Sequence, residues 1–244
     1  MQLLWPDSTY IVIPSYKSID TLKTFIPELL KWVPKKKVCV VDDASMDGTG
    51  QYCSEMQLTY LSHSVNQGKG TALVTGFAYL MKKNARWIIT MDADGQHAPE
   101  DLEKFLTFVN NNESTGICIG TRLKKIGTMP LSRIFSNVIT SKILSLICGT
   151  RILDSQCGYR IYSTDFLKKI SIKYARFEME SEVIMKAAKL GFPVSFVDVR
   201  TLYLSGQSHI SHIKDTVRWV RAVISIWLKL GKDELKAQSN NSPE

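Results

Sequence analysis

Asp92-Ala-Asp94 sets two carboxylates two residues apart, with Gln96 close behind. On an extended chain residues i and i+2 point the same way, so both acids would face one spot. Like charges so placed repel unless a cation lies between them. Oxygen ligands of this kind suit Mg2+ or Mn2+, which are readily completed by water and by a substrate's phosphate oxygens. The chemistry implied is the handling of a diphosphate. A short acidic pair can also simply cap the helix that follows, so its context decides. Two more strand-like runs end in polar residues, Pro14-Ser15-Tyr16 and Asp42-Asp43. In an open α/β sheet ligands collect at the carboxyl ends of the strands, which would gather all three endings into one crevice.

Other polar clusters fail on their spacing. Asp43-Ala-Ser-Met-Asp47-Gly48 has the opening of a calcium loop, but Ser54 stands where the bidentate glutamate belongs. Gln67-Gly-Lys69-Gly70 has part of a triphosphate-binding loop. There His63 replaces the first glycine, and Gly70 replaces the Ser or Thr that holds magnesium. Neither a calcium loop nor an ATPase is expected.

The elements that must position these residues emerge from hydrophobic spacing. Apolar runs at 10–13, 38–41, 59–61, 87–91 and 116–120 read as strands. Leu22, Phe25, Ile26, Leu29 and Val33 fall at helical spacing over 21–33, a helix that Pro34 stops. Ala72, Leu73, Phe77 and Leu80 do the same over 68–83. Further helices are expected at 99–111, 130–149 and 177–190, with extended segments at 158–162 and 194–204. Apolar strands without polar alternation, separated by helices, indicate an α/β fold: a mostly parallel sheet flanked by helices. Ile213, Val217, Val220, Ile224 and Trp227 share a face beside Lys214, Arg218 and Arg221, the pattern of a C-terminal amphipathic helix. The expected organisation is one α/β domain over 1–212, this helix over 213–231, and a polar tail over 232–244.

The 244 residues are 44% apolar and 22% charged, enough for a substantial globular core. Lys142, Arg221 and Lys229 interrupt the apolar stretches before any reaches the roughly 20 residues of a spanning helix. The first residues carry neither a basic leader nor a long apolar segment, so a cytoplasmic location is expected. Five cysteines without a C-x-x-C pair fit neither a disulfide framework nor a zinc site. A net charge of +8 favours nucleic acid, an anionic membrane or a phosphorylated substrate. No nucleic-acid motif accompanies it, so nucleic acid is not an expected partner.

Six segments in order over residues 10–215 resemble glycosyltransferase family 2, whose fold is the Rossmann-like GT-A. They are Ile11-Val-Ile-Pro-Ser-Tyr, Val40-Val-Asp-Asp-Ala-Ser-Met-Asp-Gly-Thr, Asn66-Gln-Gly-Lys-Gly-Thr-Ala, Met91-Asp-Ala-Asp-Gly-Gln-His-Ala-Pro-Glu, Gly120-Thr-Arg and Asp154-Ser-Gln-Cys-Gly-Tyr-Arg. Within that family the chain is similar to dolichyl- or polyprenyl-phosphate mannose synthases. The resemblance implies a nucleotide-sugar donor, a GDP- or UDP-hexose, and Mg2+ or Mn2+. By similarity Pro14, Tyr16 and Asp43 border the nucleotide, and Asp92, Asp94 and Gln96 hold the metal. Ala93 lies against the donor between those acids, and Lys69 approaches its phosphates. Arg122 and Arg133 would grip a lipid phosphate, whose oxygens match a guanidinium fork. Asp154 would sit near the reacting centre, with Gln156 and Gly158 shaping its loop. Gly206, Ser208 and His209 would close over the diphosphate.

Two departures leave the base and the acceptor open. Tyr16-Lys17-Ser18 stands where many relatives have Tyr-Asn-Glu, and Tyr203 stands where an arginine often precedes the glycine loop. Glu178 and Glu182 form an i,i+4 pair that is either solvated or near the acceptor. His63 and His97 are expected to have no role in the site. The expected reaction is an inverting hexosyl transfer to a polyprenyl phosphate on the cytoplasmic membrane face. A sugar hydroxyl on a glycan is the alternative acceptor, with Asp154 as the base it would need. The amphipathic helix could lie in an anionic bilayer interface, or pack on the sheet or a second copy. A nucleotide-sugar pyrophosphorylase would bring a glycine-rich loop near the N-terminus, which Ile11-Val-Ile-Pro-Ser-Tyr lacks. A non-catalytic polyanion binder would need no metal ligands.

Overall fold

The computed structural model describes residues 5–122, 131–202 and 212–239, with the backbone alone at 131–133, 212–215 and 231–239. Its strands are β1 (Thr9–Ser15), β2 (Val38–Asp42), β3 (Thr59–Ser62), β4 (Trp87–Thr90), β5 (Ile117–Thr121), β6 (Arg160–Ser163) and β7 (Val194–Asp198). They form one sheet in the order β3-β2-β1-β4-β6-β5-β7. The helices are α1 (Ile19–Leu29), α2 (Thr49–Glu55), α3 (Lys69–Lys82), α4 (Leu102–Asn111), α5 (Leu131–Cys148), α6 (Thr164–Leu167), α7 (Glu178–Lys189) and α8 (His212–Ser239).

The central strands bury consecutive residues rather than alternate ones, as the apolar runs predict. Ile11, Val12, Ile13, Val40, Val41, Ile88 and Ile89 are all inaccessible to solvent. Helices must therefore cover both faces, and each such side chain contributes about 1.5–3 kcal/mol by its burial. β6 is the exception to the parallel order, running antiparallel to both β4 and β5. The spacing of its residues could not reveal that direction, because an extended run reads the same either way along the sheet.

Three element ends differ most from the sequence reading. α1 ends at Leu29 rather than Val33, and the chain continues in tightened turns in which Trp32 and Val33 N–H both donate to Leu29 O. β7 ends at Asp198, after which Thr201 forms an isolated antiparallel bridge with His97. α8 continues to Ser239, eight residues into the segment expected to be a polar tail. The short helices α2 and α6 span too few residues to show a periodic signal.

Candidate active site

Strand direction assembles the crevice. β1, β2, β4 and β5 run parallel, so their carboxyl ends, at Ser15, Asp42, Thr90 and Thr121, lie along one edge of the sheet. β6 enters from that edge, with Arg160 opposite both Thr90 and Ile119. The loop that precedes it, residues 154–159, is thereby set beside Asp92 and Arg122. Thr90 Oγ1 donates to Gly158 O at 2.6 Å, and a Cβ on Gly158 would stand 2.6 Å from Asp92 Oδ2. Only glycine lets this backbone lie against the carboxylate.

Asp92 and Asp94 do not lie on an extended strand as expected. Past Met91 the chain turns through Ala93 and Asp94, with Gly95 at φ +69° and Gln96 N–H donating to Asp94 Oδ1 at 3.0 Å. The Asp94 carboxylate caps this turn and remains exposed, while Ala93 is buried between the two acids. Asp92 points inward, 2.7 Å from the Lys69 ammonium. Burial opposes its ionisation, but the Lys69 ammonium outweighs burial and holds the carboxyl at about 2. Asp94 is displaced the other way, its carboxyl raised by the crowding protein and by the charge on Asp92.

His97 belongs to the site after all. Its buried ring stacks on Tyr159 at 4.9 Å between centroids, and its Nδ1 accepts the Asp92 backbone N–H at 3.1 Å. Burial lowers its pKa, which keeps the imidazole neutral and Nδ1 free to accept. His63 is also engaged. Its Nδ1 donates to Asp43 Oδ1 at 2.7 Å, and its Nε2 lies 2.9 Å from Thr75 Oγ1.

Asp43 further accepts from Gln67 N–H (2.8 Å) and Gly68 N–H (2.7 Å). The buried carboxylate therefore organises the loop between β3 and α3, while the Tyr16 ring, 45% exposed, presents a face to solvent beyond the buried Pro14. Ser15 Oγ is buried at the end of β1 without a hydrogen-bond partner among the described residues, a polar group that the sequence pattern did not single out. The N-terminus of α3 is closed to phosphate at two of its amides. Gly70 and Thr71 N–H both donate to Ala175 O, at 2.7 and 3.3 Å, and a Cβ on Gly70 would meet Tyr174 O at 2.5 Å. Lys69, the first residue of that helix, spans from Asp92 to Glu180 Oε1 at 2.9 Å.

On the opposite wall, Arg122 and Asp154 form a two-pronged pair. Nε donates to Oδ2 at 2.9 Å and Nη2 to Oδ1 at 3.0 Å, and the Arg122 backbone N–H adds a third bond. Asn137 Nδ2 and Gln156 N–H complete the shell at 2.9 and 3.1 Å. Asp154 has no exposed surface, and although burial opposes its ionisation, Arg122 holds the carboxyl below the usual range. Such a carboxylate is a poor proton acceptor. The Gln156 side chain reaches Ser136 and Thr140 on α5, tying the loop to that helix. Arg133 falls within α5, but its side chain, like all of Gly206, Ser208 and His209, lies outside the described residues.

Glu178 and Glu182 are buried rather than solvated. Glu178 pairs with Arg218 of α8 at 3.0 Å, and Glu182 accepts from Lys173 and Tyr174 N–H at 2.9 and 3.0 Å. The residue of this helix that reaches the crevice is Glu180, between them. Because α7 buries residues 178–185 without interruption, no amphipathic face marks which acid turns inward.

A mostly parallel sheet that gathers an acidic turn and a second polar loop at its carboxyl edge matches the GT-A fold that the six motifs lead one to expect. Residues 10–171 match the family described as Glycosyl transferase family 2, and the chain belongs to that family. It is 30% identical over 203 residues to an undecaprenyl-phosphate mannosyltransferase of Micrococcus luteus, covering 77% of this chain and 82% of that one. It is 29% identical over 216 residues to a UDP-N-acetylglucosamine–dolichyl-phosphate N-acetylglucosaminyltransferase of Methanococcus voltae, covering 80% and 85%. In fold it is similar to glucosyl-3-phosphoglycerate synthase of Mycobacterium tuberculosis in complex with Mn2+, UDP and glucosyl-3-phosphoglycerate. That match has a TM-score of 0.70 at 15% identity and covers 91% of this chain and 79% of that one. The resemblance read from the six motifs and the α/β architecture are both confirmed.

Proposed function

We propose that this glycosyltransferase moves a hexose, with inversion, from a GDP- or UDP-hexose to a polyprenyl phosphate at the cytoplasmic face of a membrane. The state of Asp154 carries the choice of acceptor. A sugar hydroxyl must lose a proton as it attacks, and the acid best placed to take it is already saturated by Arg122, Asn137 and Gln156. A phosphate monoester arrives anionic and needs no base. Relatives named for undecaprenyl and dolichyl phosphate support the same acceptor class.

Asp92 and Asp94, with Gln96, would hold Mg2+ or Mn2+. The fit rests on Asp94, which is exposed, accepts one backbone N–H, and has its carboxyl raised by the surrounding protein and by the charge on Asp92. No cluster of three His, Cys, Asp or Glu side chains able to hold a metal occurs among the described residues, so the donor's own oxygens would supply further ligands. A bound divalent ion would offset the charge growing on the departing nucleoside diphosphate. The Mn2+ and UDP of the mycobacterial enzyme support this assignment. Pro14 and Tyr16 would border the nucleotide and Ala93 the donor. With Arg122 engaged by Asp154, Arg133 becomes the guanidinium for the acceptor phosphate, and Gly206, Ser208 and His209 would close over the diphosphate.

A membrane surface is supported by apolar residues left exposed on two helices. Phe135 and Leu146 of α5 are 70% and 84% exposed, and Val217, Val220, Ile224 and Trp227 of α8 are 41–56% exposed. Arg221 and Lys229 accompany the second set, as suits an anionic bilayer interface. No described helix is long and apolar enough to cross a membrane. The test is transfer of labelled hexose from GDP- and UDP-sugars to a short-chain polyprenyl phosphate, with and without Mn2+ or Mg2+. Metal-dependent product of inverted anomeric configuration is expected, whereas transfer to glycan hydroxyls alone would sink the lipid-phosphate reading.

A further inference from the structure

Lys69 holds the position beside Asp92 that a divalent ion would compete for. Its ammonium lies 2.7 Å from Asp92 Oδ1 and 2.9 Å from Glu180 Oε1, and its side chain is 19% exposed. Glu180 is itself held from behind. Its Oε2 lies 3.6 Å from Nη2 of Arg160, a fully buried residue whose guanidinium donates to the carbonyls of Ser155, Cys157 and Glu180. Asp92, Asp94 and Glu180 thus set three carboxylates against one ammonium, Lys69, and one guanidinium, Arg160. The cluster is close to balanced without a metal, and what remains uncompensated sits at Asp94.

We propose that Lys69 is a resident counter-ion of Asp92 that keeps a divalent ion out until the nucleotide arrives, with Glu180 retaining the ammonium when Asp92 releases it. This rests on the reading that Asp92 and Asp94 hold the metal. A free divalent ion would have to approach an ammonium at short range while gaining one uncommitted carboxylate. A nucleoside diphosphate changes both terms: its oxygens ligate the ion, and its charge offsets the crowding of cations. Glu180 keeps Lys69 within reach throughout, so the ammonium can return to Asp92 when product leaves. Lys69 and Glu180 are in this sense positioning residues for metal entry, and metal and donor bind as a pair.

Mn2+ titrations of the full chain test this, with free Mn2+ followed by its paramagnetic resonance signal in the absence and presence of UDP or GDP. The wild type is expected to bind Mn2+ appreciably only with nucleotide. Lys69→Met should bind Mn2+ alone at least about tenfold more tightly than wild type, the lower end of what a neighbouring unit charge does to a carboxylate's affinity for a cation. Glu180→Gln should act in the opposite sense, weakening nucleotide-dependent Mn2+ binding by leaving Lys69 to Asp92 alone. Side chains that merely support the fold would weaken binding in both variants. If Lys69→Met binds Mn2+ alone no better than wild type while the wild type still binds it with nucleotide, the counter-ion role is overturned and the metal site stands. If neither protein binds Mn2+ with either nucleotide, the metal site falls and this proposal with it. Lys69→Arg, which keeps the charge should Lys69→Met fail to fold, is expected to resemble wild type, and a gain of affinity for Mn2+ alone there would also overturn the proposal.

Discussion

The two walls of the crevice treat their acids in opposite ways. On one, Asp154 is wholly buried and accepts from Arg122, Asn137 and Gln156. On the other, Asp94 is exposed and accepts from Gln96 N–H alone among the described residues. Buried polar groups in native proteins are nearly always satisfied, so a saturated carboxylate is part of the scaffold, and one left with spare lone pairs is available for a ligand. Asp92 stands between these extremes, since its partner is a flexible lysine that can be exchanged. The same residue type thus builds one wall and serves the other, and the number of donors around each carboxylate tells them apart.

Substitutions that remove activity without stability, or the reverse, would sharpen this contrast. Asp94→Asn should lower kcat/KM for transfer by roughly a thousandfold, the loss typical when a charge-stabilising group is removed. Its Tm should hold or rise slightly, because the raised carboxyl shows that its charge is disfavoured in the fold. Asp154→Asn should do the reverse. Leaving Arg122 without its counter-charge should cost about 3 kcal/mol in urea unfolding, with transfer by the folded protein reduced far less than in Asp94→Asn. Equal stability losses in the two variants would erase the distinction between the walls.

Gly158→Ala tests the seam where the walls meet. The new methyl group would fall 2.6 Å from Asp92 Oδ2, and displacement of that acid should slow transfer about a hundredfold while costing little stability. A pH series refines the role of Asp154. Its folded-state carboxyl lies below the ordinary value, so the stability it contributes is complete above the unfolded value of about 3.9 and is lost as pH falls through the lower folded one. The stability gap between wild type and Asp154→Asn should therefore narrow below about pH 4 in acid-unfolding measurements. The smallest effect is expected on α8. Trp227→Ala should change stability by less than about 0.5 kcal/mol, given a side chain already half exposed, yet reduce sedimentation with anionic vesicles.

The motifs of the first half were legible because each follows a buried strand whose carboxyl end the parallel order sets on one edge. Pro14, Asp43 and Asp92 could be assigned to a common crevice from that rule alone. The second half was harder. Arg122 and Asp154 carry the family's pattern, but their pairing depends on β6 running antiparallel, which brings the 154–159 loop back to the edge where β5 ends. His97 and Glu180 were missed for a related reason. His97 lies inside the acidic motif, but its bond to the Asp92 N–H needs the turn at 93–95 and its stacking needs the distant Tyr159. Glu180 lies in no pattern and enters the site through Lys69.

The order of residue types determined which strands form and where they end in acids, because hydrophobic period and local charge are properties of neighbouring residues. Tertiary structure alone decided which acids are spent and which remain free. A carboxylate's availability depends on donors supplied by segments as much as 111 residues away, as in the Lys69–Glu180 contact, and no local pattern records where the chain will bring them.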